Sequence, residues 1–256
     1  MHVALTIAGS DPSGGAGLQA DLKTFHANRV YGTSVVTLLT VQNTQTVDAI
    51  EMIKPDFVLA QLDAVLDDIP PTAAKTGALG NAAMIEAIAE RAASFQFPLV
   101  VDPVMISKHR LPLLDDDAVD VLGRLLLPHA FLVTPNMMEA ARLANITVEN
   151  IESMETACKT LHAMGAKNVL LKGGEIGKES VDLLYTDDRF HRIGGERIPT
   201  QNTHGSGCVL SAAITASLAK NKPLIDAVEH AKQFIVEAIR TAPKLGKGLG
   251  PLNLML

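Results

Sequence analysis

Short, continuous apolar runs that alternate with longer amphipathic segments restrict the fold of this chain most strongly. The runs Val3–Ala8, Leu99–Val101 and Phe131–Thr134 carry apolar residues at successive positions rather than at every second position. Strands of that kind are usually covered by helices on both faces, as in a parallel sheet. Strands that alternate with helices then predict a three-layer α/β/α fold with a mostly parallel central sheet flanked by helices.

The strand and helix pattern continues over the 256 residues. The predicted strands are Val3–Ala8, Ser34–Val41, Ala73–Thr76, Leu99–Val101, Phe131–Thr134, Asn168–Lys172 and Val181–Tyr185. The predicted helices lie near Gly17–Asn28, Pro55–Leu66, Asn81–Ala93, Asp115–Leu126, Met137–Ala144, Ser153–Met164, Gly207–Ala219 and Leu224–Ala242. Because no linker-like tract or repeat of fixed period interrupts this series, a single domain over residues 1–256 is predicted.

Composition excludes several classes of function. The net charge is −6, aromatic residues make up 4% of the chain and Trp is absent, so neither a basic nucleic-acid face nor a base-stacking platform is predicted. The two cysteines indicate no disulfide framework. No apolar stretch approaches the roughly 20 residues of a membrane helix, and the apolar run at the N-terminus is short for a signal peptide. A cytoplasmic protein without nucleic-acid or membrane partners is the expectation.

Polar, glycine and proline residues follow four predicted strands directly. The strand Val3–Ala8 leads into a glycine loop, and the others lead into Asp102-Pro103, Pro135-Asn136 and Lys172-Gly173-Gly174. In open parallel sheets, ligands bind outside the carboxyl ends of the strands. The sequence therefore predicts one shared crevice at this edge of the sheet.

The first glycine loop, Gly9–Gly17, contains the pattern Gly-x-Gly-x-x-Ala from Gly15 to Ala20. A dinucleotide-binding fingerprint follows its strand at once and is answered by an acidic residue about 20 positions later. Here six residues separate the end of the strand at Ala8 from Gly15, and the second strand ends in Thr40-Val41-Gln42 without a carboxylate. Both features argue against an NAD-linked oxidoreductase. The phosphate-binding P-loop pattern is also missing from the sequence.

The second glycine loop, Thr203–Cys208, directly precedes a helix rich in small residues. Backbone N–H groups at such a helix start converge on one point, which suits an anion such as a phosphoryl group in transfer. Cys208 would lie in the first turn, where the pKa of a thiol is lowered and the thiol can act as a base or nucleophile. A small buried apolar side chain is the alternative interpretation, and it is the one we adopt for Cys158.

Three further residues carry candidate chemistry. Asn136 and Glu139 form a capping-box pattern at a predicted helix start, and the same carboxylate could lie near Mg²⁺ and phosphates. Lys172, at the end of an apolar strand, is predicted to extend into the crevice.

Together these motifs resemble the ribokinase-type superfamily, and within it the hydroxymethylpyrimidine/phosphomethylpyrimidine kinases of thiamine biosynthesis. The matching segments are Ala8–Asp21, Val41–Thr44, Lys75–Gly77, Val101–Met105, Thr134–Asn136 with Glu139, Lys172–Gly174 and Thr203–Cys208. The resemblance implies an enzyme that binds ATP, Mg²⁺ and a pyrimidine alcohol, and it suggests a homodimer.

The resemblance also implies roles for individual residues. Asp21 and Gln42 would contact the ring nitrogens and amino group of the pyrimidine, in a pocket lined by Gly9, Ala16 and Val104. The backbone of Gly205, Ser206, Gly207 and Cys208 would form an anion hole, with Cys208 as the base. Asn136 and Glu139 would organise Mg²⁺, and Lys172 and Lys108 would lie near the phosphates of ATP.

The chain departs from the pattern at several positions, and other functions stay open. Ala78 replaces a common Met, His109-Arg110 follows Lys108, Glu175 replaces a usual His, and the C-terminal segment lacks the histidines of the family. Pyridoxal kinase activity is the main alternative, since some relatives with the cysteine-type loop accept vitamin B6 alcohols. A nucleotide-binding protein that has lost catalysis is the other.

Overall fold

A single nine-stranded sheet forms the centre of the computed structural model, which describes residues 1–106, 111–174 and 180–256. The strands are β1 (Val3–Ser10), β2 (Tyr31–Gln42), β3 (Val47–Met52), β4 (Ala73–Thr76), β5 (Leu99–Val101), β6 (Leu132–Val133), β7 (Val169–Leu171), β8 (Ser180–Thr186) and β9 (Arg189–Gly195). Their spatial order is β3-β2-β1-β4-β5-β6-β7-β8-β9. The block from β2 to β7 is parallel, while β3 at one edge and the β8–β9 hairpin at the other pair in antiparallel fashion.

Helices cover both faces of this sheet. They are α1 (Gly17–Ala27), α2 (Pro55–Asp68), α3 (Ala82–Ala92), α4 (Asp116–Val121), α5 (Met137–Ala144), α6 (Ile151–Ala163), α7 (Ser206–Ala219) and α8 (Leu224–Arg240). Helices α2 to α6 contribute to one apolar cluster, and α1, α7 and α8 contribute to the other. Among the described residues, no helix is long and apolar enough to cross a membrane.

Successive residues of the central strands belong to opposite clusters. Leu99 and Val101 pack on the α2–α6 side, whereas Val100 between them packs on the α7 side, and all three are buried. Two buried faces explain why these strands are apolar throughout. The predicted three-layer fold is confirmed, and the shared sheet supports the proposal of one domain over residues 1–256.

The structure differs from the predicted elements at the sheet edges and in one helix. Strands β3 and β9 are half-exposed and polar at many positions, so they lack the continuous apolar run that marked the others. The predicted helix over Asp115–Leu126 is α-helical only as far as Val121 and continues as a π-helical turn over Leu122–Leu126. In that turn Gly123 packs closely against the end of the Met164 side chain, since a Cβ there would lie 2.8 Å from Met164 Cε.

Candidate active site

A cavity of about 810 Å³ opens at the carboxyl ends of the parallel strands. It is lined by residues that follow β1, β4, β5, β6 and β7 and by the first turn of α7, so the predicted shared crevice exists. The predicted site residues that line it are Gly9, Ala16, Asp21, Gln42, Val104, Asn136, Glu139, Lys172, Gly205, Ser206, Gly207 and Cys208. Lys108 lies outside the described residues.

The second glycine loop ends at Gly205, the N-cap of α7. Gly205 has φ 78°, in the left-handed region, and a side chain there would collide with the carbonyl of Gly15 in the first glycine loop. The two loops therefore pack backbone against backbone. The first turn of α7 lines the cavity, and although the Ser206 N–H donates to the carbonyl of Thr203, a helix start presents further unpaired N–H groups and the positive end of the helix dipole, as an anion hole requires.

Lys172 brings a positive charge to the same place. A Cβ on Gly207 would lie 3.3 Å from Lys172 Nζ, which shows how closely this ammonium approaches the start of α7. Lys172 Nζ also lies 3.3 Å from Asp102 Oδ1. Burial opposes the charge on Lys172, but Asp102 and Glu139 outweigh that effect and raise its pKa. Lys172 is therefore a cation at neutral pH.

Asp102 is a site residue that motif reasoning left out. Besides Lys172, its carboxylate accepts hydrogen bonds from Thr134 Oγ1 and Ser211 Oγ, each at 3.3 Å. The side chain is buried at the carboxyl end of β5, where it lines the cavity together with the starts of α7 and α5. Its position directly after a buried strand, before Pro103, was the signal that could have identified it.

Glu139 has the capping-box geometry that the sequence predicts. Its backbone N–H donates to Asn136 Oδ1 at 2.9 Å, and its Oε2 accepts from the Asn136 backbone N–H at 2.8 Å. Burial raises the pKa of Glu139 to about 7, with a further contribution from Asp102, although Lys172 opposes it. Protonation of this carboxyl near neutral pH is therefore part of the electrostatics of the site.

The donor set suits Mg²⁺ bound together with phosphates. Among the described residues, no group of three or more His, Cys, Asp or Glu side chains could hold a metal. Asp102 and Glu139 both lie close to Lys172 and supply two carboxylates. Mg²⁺ commonly binds one or two carboxylates and completes its shell with waters and substrate phosphates.

Cys208 lies in the first turn of α7, and a backbone hydrogen bond from Gly17 reaches its thiol. Burial raises the pKa of Cys208 to about 12, and the nearby Asp21 and Asp102 add to that rise, while Lys75 opposes it. The prediction of a lowered thiol pKa is therefore wrong. The helix start favours a thiolate, but desolvation and two carboxylates outweigh it.

Asp21 lines the cavity, but its carboxylate is engaged inside the protein. Lys75 Nζ lies within 2.9 Å of both carboxylate oxygens, and Thr6 Oγ1 donates to Oδ2 at 2.6 Å. Both side chains of the ion pair are fully buried. Contact between Asp21 and a pyrimidine stays a prediction, whereas Lys75 is a buried charge near Cys208 that sequence reasoning missed.

The first glycine loop is organised by Asp11, another residue missed from the sequence. Its carboxylate accepts hydrogen bonds from Ser13 Oγ and from the backbone N–H of Ser13 and Ala16, at 2.8 to 2.9 Å. His204 Nε2 lies 2.8 Å from Asp11 Oδ2 and 3.3 Å from the amide nitrogen of Gln42. Asp11 therefore links the first glycine loop to the second and, through His204, to Gln42.

Comparison with known proteins agrees with this geometry. The family model described as phosphomethylpyrimidine kinase matches residues 11–253. The hydroxymethylpyrimidine/phosphomethylpyrimidine kinase of Haemophilus influenzae is 46% identical over 255 residues, covering 97% of this chain and 95% of the relative. The thiamine biosynthesis bifunctional protein ThiED of Geobacter sulfurreducens is 49% identical over 254 residues, covering 98% of this chain. This chain spans about half, 52%, of the length of the Geobacter protein.

A solved structure shows the same architecture. The ADP complex of Bacillus subtilis pyridoxal kinase superposes with a TM-score of 0.92 at 38% identity, covering 99% of this chain and 97% of the other. Similarity over nearly the whole length thus accompanies a site that brings a helix start, a partly buried lysine and two carboxylates into one cavity. The chain belongs to the phosphomethylpyrimidine kinase family and is a phosphotransferase.

Proposed function

We propose that this kinase transfers the γ-phosphoryl group of ATP to the hydroxymethyl oxygen of 4-amino-5-hydroxymethyl-2-methylpyrimidine and then to the phosphate of that product, giving the diphosphate. Relatives that match over nearly their full length carry the names of both activities. The observation that carries the proposal is the convergence of the α7 anion hole, Lys172 and the Gln42 side chain on one cavity.

The nucleotide end of the cavity is formed by the segments that follow β6 and β7. Lys172, held by Asp102, would contact the phosphates as a fixed cation, and Asn136 would lie beside them. The structural neighbour that binds ADP supports a nucleotide here. Asp102 and Glu139 would hold Mg²⁺, which would neutralise phosphate charge when bound.

The acceptor end is formed by the residues that follow β1, β2 and β5. A carboxamide can recognise an aminopyrimidine edge by donating to a ring nitrogen and accepting from the amino group, and Gln42, which lines the cavity, would do this. Gly9, Ala16 and Val104 would form the apolar walls, and Asp21 would stand at the base of the pocket. The hydroxymethyl group would then face the start of α7.

In the first step the hydroxymethyl oxygen bonds to the γ-phosphorus while the bond from that phosphorus to the β–γ bridging oxygen breaks, leaving ADP. The N–H groups at Gly205–Cys208 would stabilise the negative charge of the transferred group. The hydroxyl proton would pass to Cys208 as the minor thiolate species, whose charge Lys75 offsets. In the second step the acceptor is already an anionic phosphate, so no proton has to be removed.

An assay of ATP consumption tests the proposal, with the hydroxymethylpyrimidine, its monophosphate and pyridoxal offered separately and the products identified by mass. Mono- and diphosphorylated pyrimidine are expected. Turnover of the monophosphate alone would remove the first step from the proposal. ATP binding without transfer to any acceptor would favour a protein that has lost catalysis.

Pyridoxal is the second candidate substrate, because a pyridoxal kinase superposes on nearly the whole chain. Ala78, which lines the cavity, leaves more room than the methionine that is common at this position. Phosphorylation of pyridoxal at the expense of the pyrimidine would assign the protein to vitamin B6 salvage while keeping the same site. The homodimer and the cytoplasmic location are further proposals, tested by light scattering of the purified protein and by cell fractionation.

A further inference from the structure

The Gln42 side chain contacts two groups whose hydrogen atoms are already used elsewhere. One is the hydroxyl of Thr40, and the other is the imidazole of His204. The orientation of the Gln42 amide follows from what these two neighbours can still donate or accept. This matters because the amide oxygen and nitrogen have opposite hydrogen-bonding roles.

The Thr40 hydroxyl can only accept from Gln42. Its Oγ1 donates its single proton to the carbonyl of Ser10 at 2.9 Å. The Gln42 atom 3.3 Å from that hydroxyl therefore has to be a donor, although Oε1 is placed there. If the amide nitrogen of Gln42 lies next to Thr40 instead, its N–H donates a hydrogen bond to Thr40 Oγ1.

His204 can only donate to Gln42. Its Nε2 lies 2.8 Å from Asp11 Oδ2, and both side chains are more than nine-tenths buried. Although burial opposes it, hydrogen bonds from His204 and Ser13 lower the pKa of Asp11, so the carboxylate accepts and Nε2 carries the proton. The amide nitrogen of Gln42 lies 3.3 Å from His204 Nε2, so in this orientation two hydrogen-bond donors would face each other.

A half-turn of the amide resolves both contacts at once. The carbonyl oxygen then accepts a share of the His204 N–H, and the amide nitrogen donates to Thr40. Amide oxygen and nitrogen are assigned from such networks rather than from their positions. One lone pair and one N–H of Gln42 are left over, and these are the two groups that a ligand in the cavity can use.

We propose that His204, held by Asp11, is a positioning residue that fixes the Gln42 amide with its oxygen on the His204 side, and that this orientation selects the aminated edge of the acceptor. The inference rests on the proposed function and deepens it. The exocyclic amino group would donate to the oxygen, and the adjacent ring nitrogen would accept from the N–H, as in carboxamide recognition of adenine. The amino group therefore lies on the His204 side, and the ring nitrogen lies on the Thr40 side.

His204 directly precedes Gly205, so a loss of the imidazole could also disturb the anion hole. The two effects differ in what they change. A disturbed anion hole impairs phosphoryl transfer whatever occupies residue 42, whereas a positioning role exists only while Gln42 is present. A double-mutant cycle separates them.

The test measures KM for the pyrimidine alcohol and for ATP in the wild type, His204→Leu, Gln42→Leu and the double variant. His204→Leu is expected to raise KM for the alcohol about tenfold, the size of one oriented hydrogen bond, and to leave KM for ATP within about twofold. In the Gln42→Leu background the same change is expected to alter KM for the alcohol less than about twofold. His204→Gln, whose carboxamide has two N–H donors, is expected to restore most of the affinity.

Selectivity gives an independent measurement. His204→Leu is expected to lower the kcat/KM preference for the substrate over its analogue without the 4-amino group by about tenfold. His230→Leu is the matched control, since His230 Nε2 contacts Asn28 Oδ1 at 2.8 Å outside the cavity, and no change in selectivity is expected there. If His204→Leu does not fold, Thr40→Val removes the acceptor on the other side and is expected to reduce the same preference.

Equal losses from His204→Leu in both backgrounds, an equal rise in KM for ATP, or full selectivity in Thr40→Val would overturn the inference. Failure of the proposed function looks different, because the wild type would then not phosphorylate the pyrimidine. If it phosphorylates pyridoxal instead, the cycle is run on KM for pyridoxal. Additive effects of His204 and Gln42 there would also overturn the positioning role.

Discussion

Lys75 Nζ lies 2.9 and 2.8 Å from the two carboxylate oxygens of Asp21, and neither side chain is exposed to solvent. The pair joins β4 to α1, and Asp21 lines the cavity. Burial opposes the charge on Lys75, but the negative charges around it, that of Asp21 first, outweigh this effect and raise its pKa. The ammonium is thus fixed in its charged form, within electrostatic reach of Cys208.

Replacement of Lys75 by methionine is expected to lower the free energy of unfolding by about 3–5 kcal/mol, because it leaves a buried carboxylate without its partner. Urea unfolding followed by circular dichroism measures the change. Arg91→Met is the control: it breaks a half-exposed ion pair with Asp63 and is expected to cost less than about 1 kcal/mol. A loss in Lys75→Met no larger than in the control would contradict a charged buried pair.

The ionisation of Glu139 is expected to make the apparent Mg²⁺ affinity depend on pH. Its pKa of about 7 means that the carboxyl is mostly neutral below that pH and mostly ionised above it. Because the metal binds the ionised form, the apparent Mg²⁺ affinity should rise about tenfold per pH unit below pH 7 and level off above it. The measurement is the Mg²⁺ dependence of kcat/KM for ATP between pH 5.5 and 8.5.

Glu139→Gln should bind Mg²⁺ weakly at every pH and lose this slope. The exposed Glu149→Gln, at the N-terminal side of α6, should keep it. A wild-type profile that is flat from pH 5.5 to 7 would place the relevant ionisation elsewhere.

Cys208 is expected to react slowly with iodoacetamide at neutral pH, since burial raises the pKa of its thiol to about 12. The alkylation rate should increase about tenfold per pH unit from pH 7 to 9 without a plateau, because only the thiolate reacts. Measured in a Cys158→Ala background, a plateau near pH 7 would show a lowered pKa instead.

Cys208→Ala is expected to lose most phosphorylation of the alcohol while it still binds ATP and phosphorylates the monophosphate. The reason is that only the first step has a hydroxyl proton to remove. Near-normal turnover of the alcohol in this variant would rule out the proposed role of Cys208 as the base.

Local sequence patterns predicted most of the fold and the location of the site. Strands buried on both faces are apolar throughout, and polar residues directly after them mark the ligand edge, as Lys172 shows. The edge strands β3 and β9 were not predicted from the sequence, because a half-exposed strand needs few apolar residues. Edge position depends on the order of strands in space, which no local pattern contains.

The missed site residues share a different cause. Asp11 and His204 are 193 positions apart, Asp102 and Lys172 are 70 apart, and Asp21 and Lys75 are 54 apart. Asp11, His204 and Lys75 are ordinary polar residues by their own sequence context, and only the folded chain brings their partners within hydrogen-bonding distance. Asp102 does follow a buried strand directly, but its pairing with Lys172 is likewise set only by the fold. The pKa of Cys208 was misjudged for the same reason, since the nearby carboxylates and the extent of burial are set by tertiary packing.

Gly205 connects the two glycine loops, and alanine at this position is expected to damage both stability and catalysis. The residue has φ 78°, which costs a residue with a Cβ about 1–2 kcal/mol, and the new methyl group would collide with the carbonyl of Gly15. Separation of the loops would shift the N–H groups of α7, so kcat should fall for both phosphorylation steps alike. Gly194→Ala is the control, since a Cβ there meets no atom within 4 Å, and a change below about 0.5 kcal/mol is expected. Retention of kcat in Gly205→Ala, measured beside urea unfolding of both variants, would show that the anion hole does not depend on this contact between the loops.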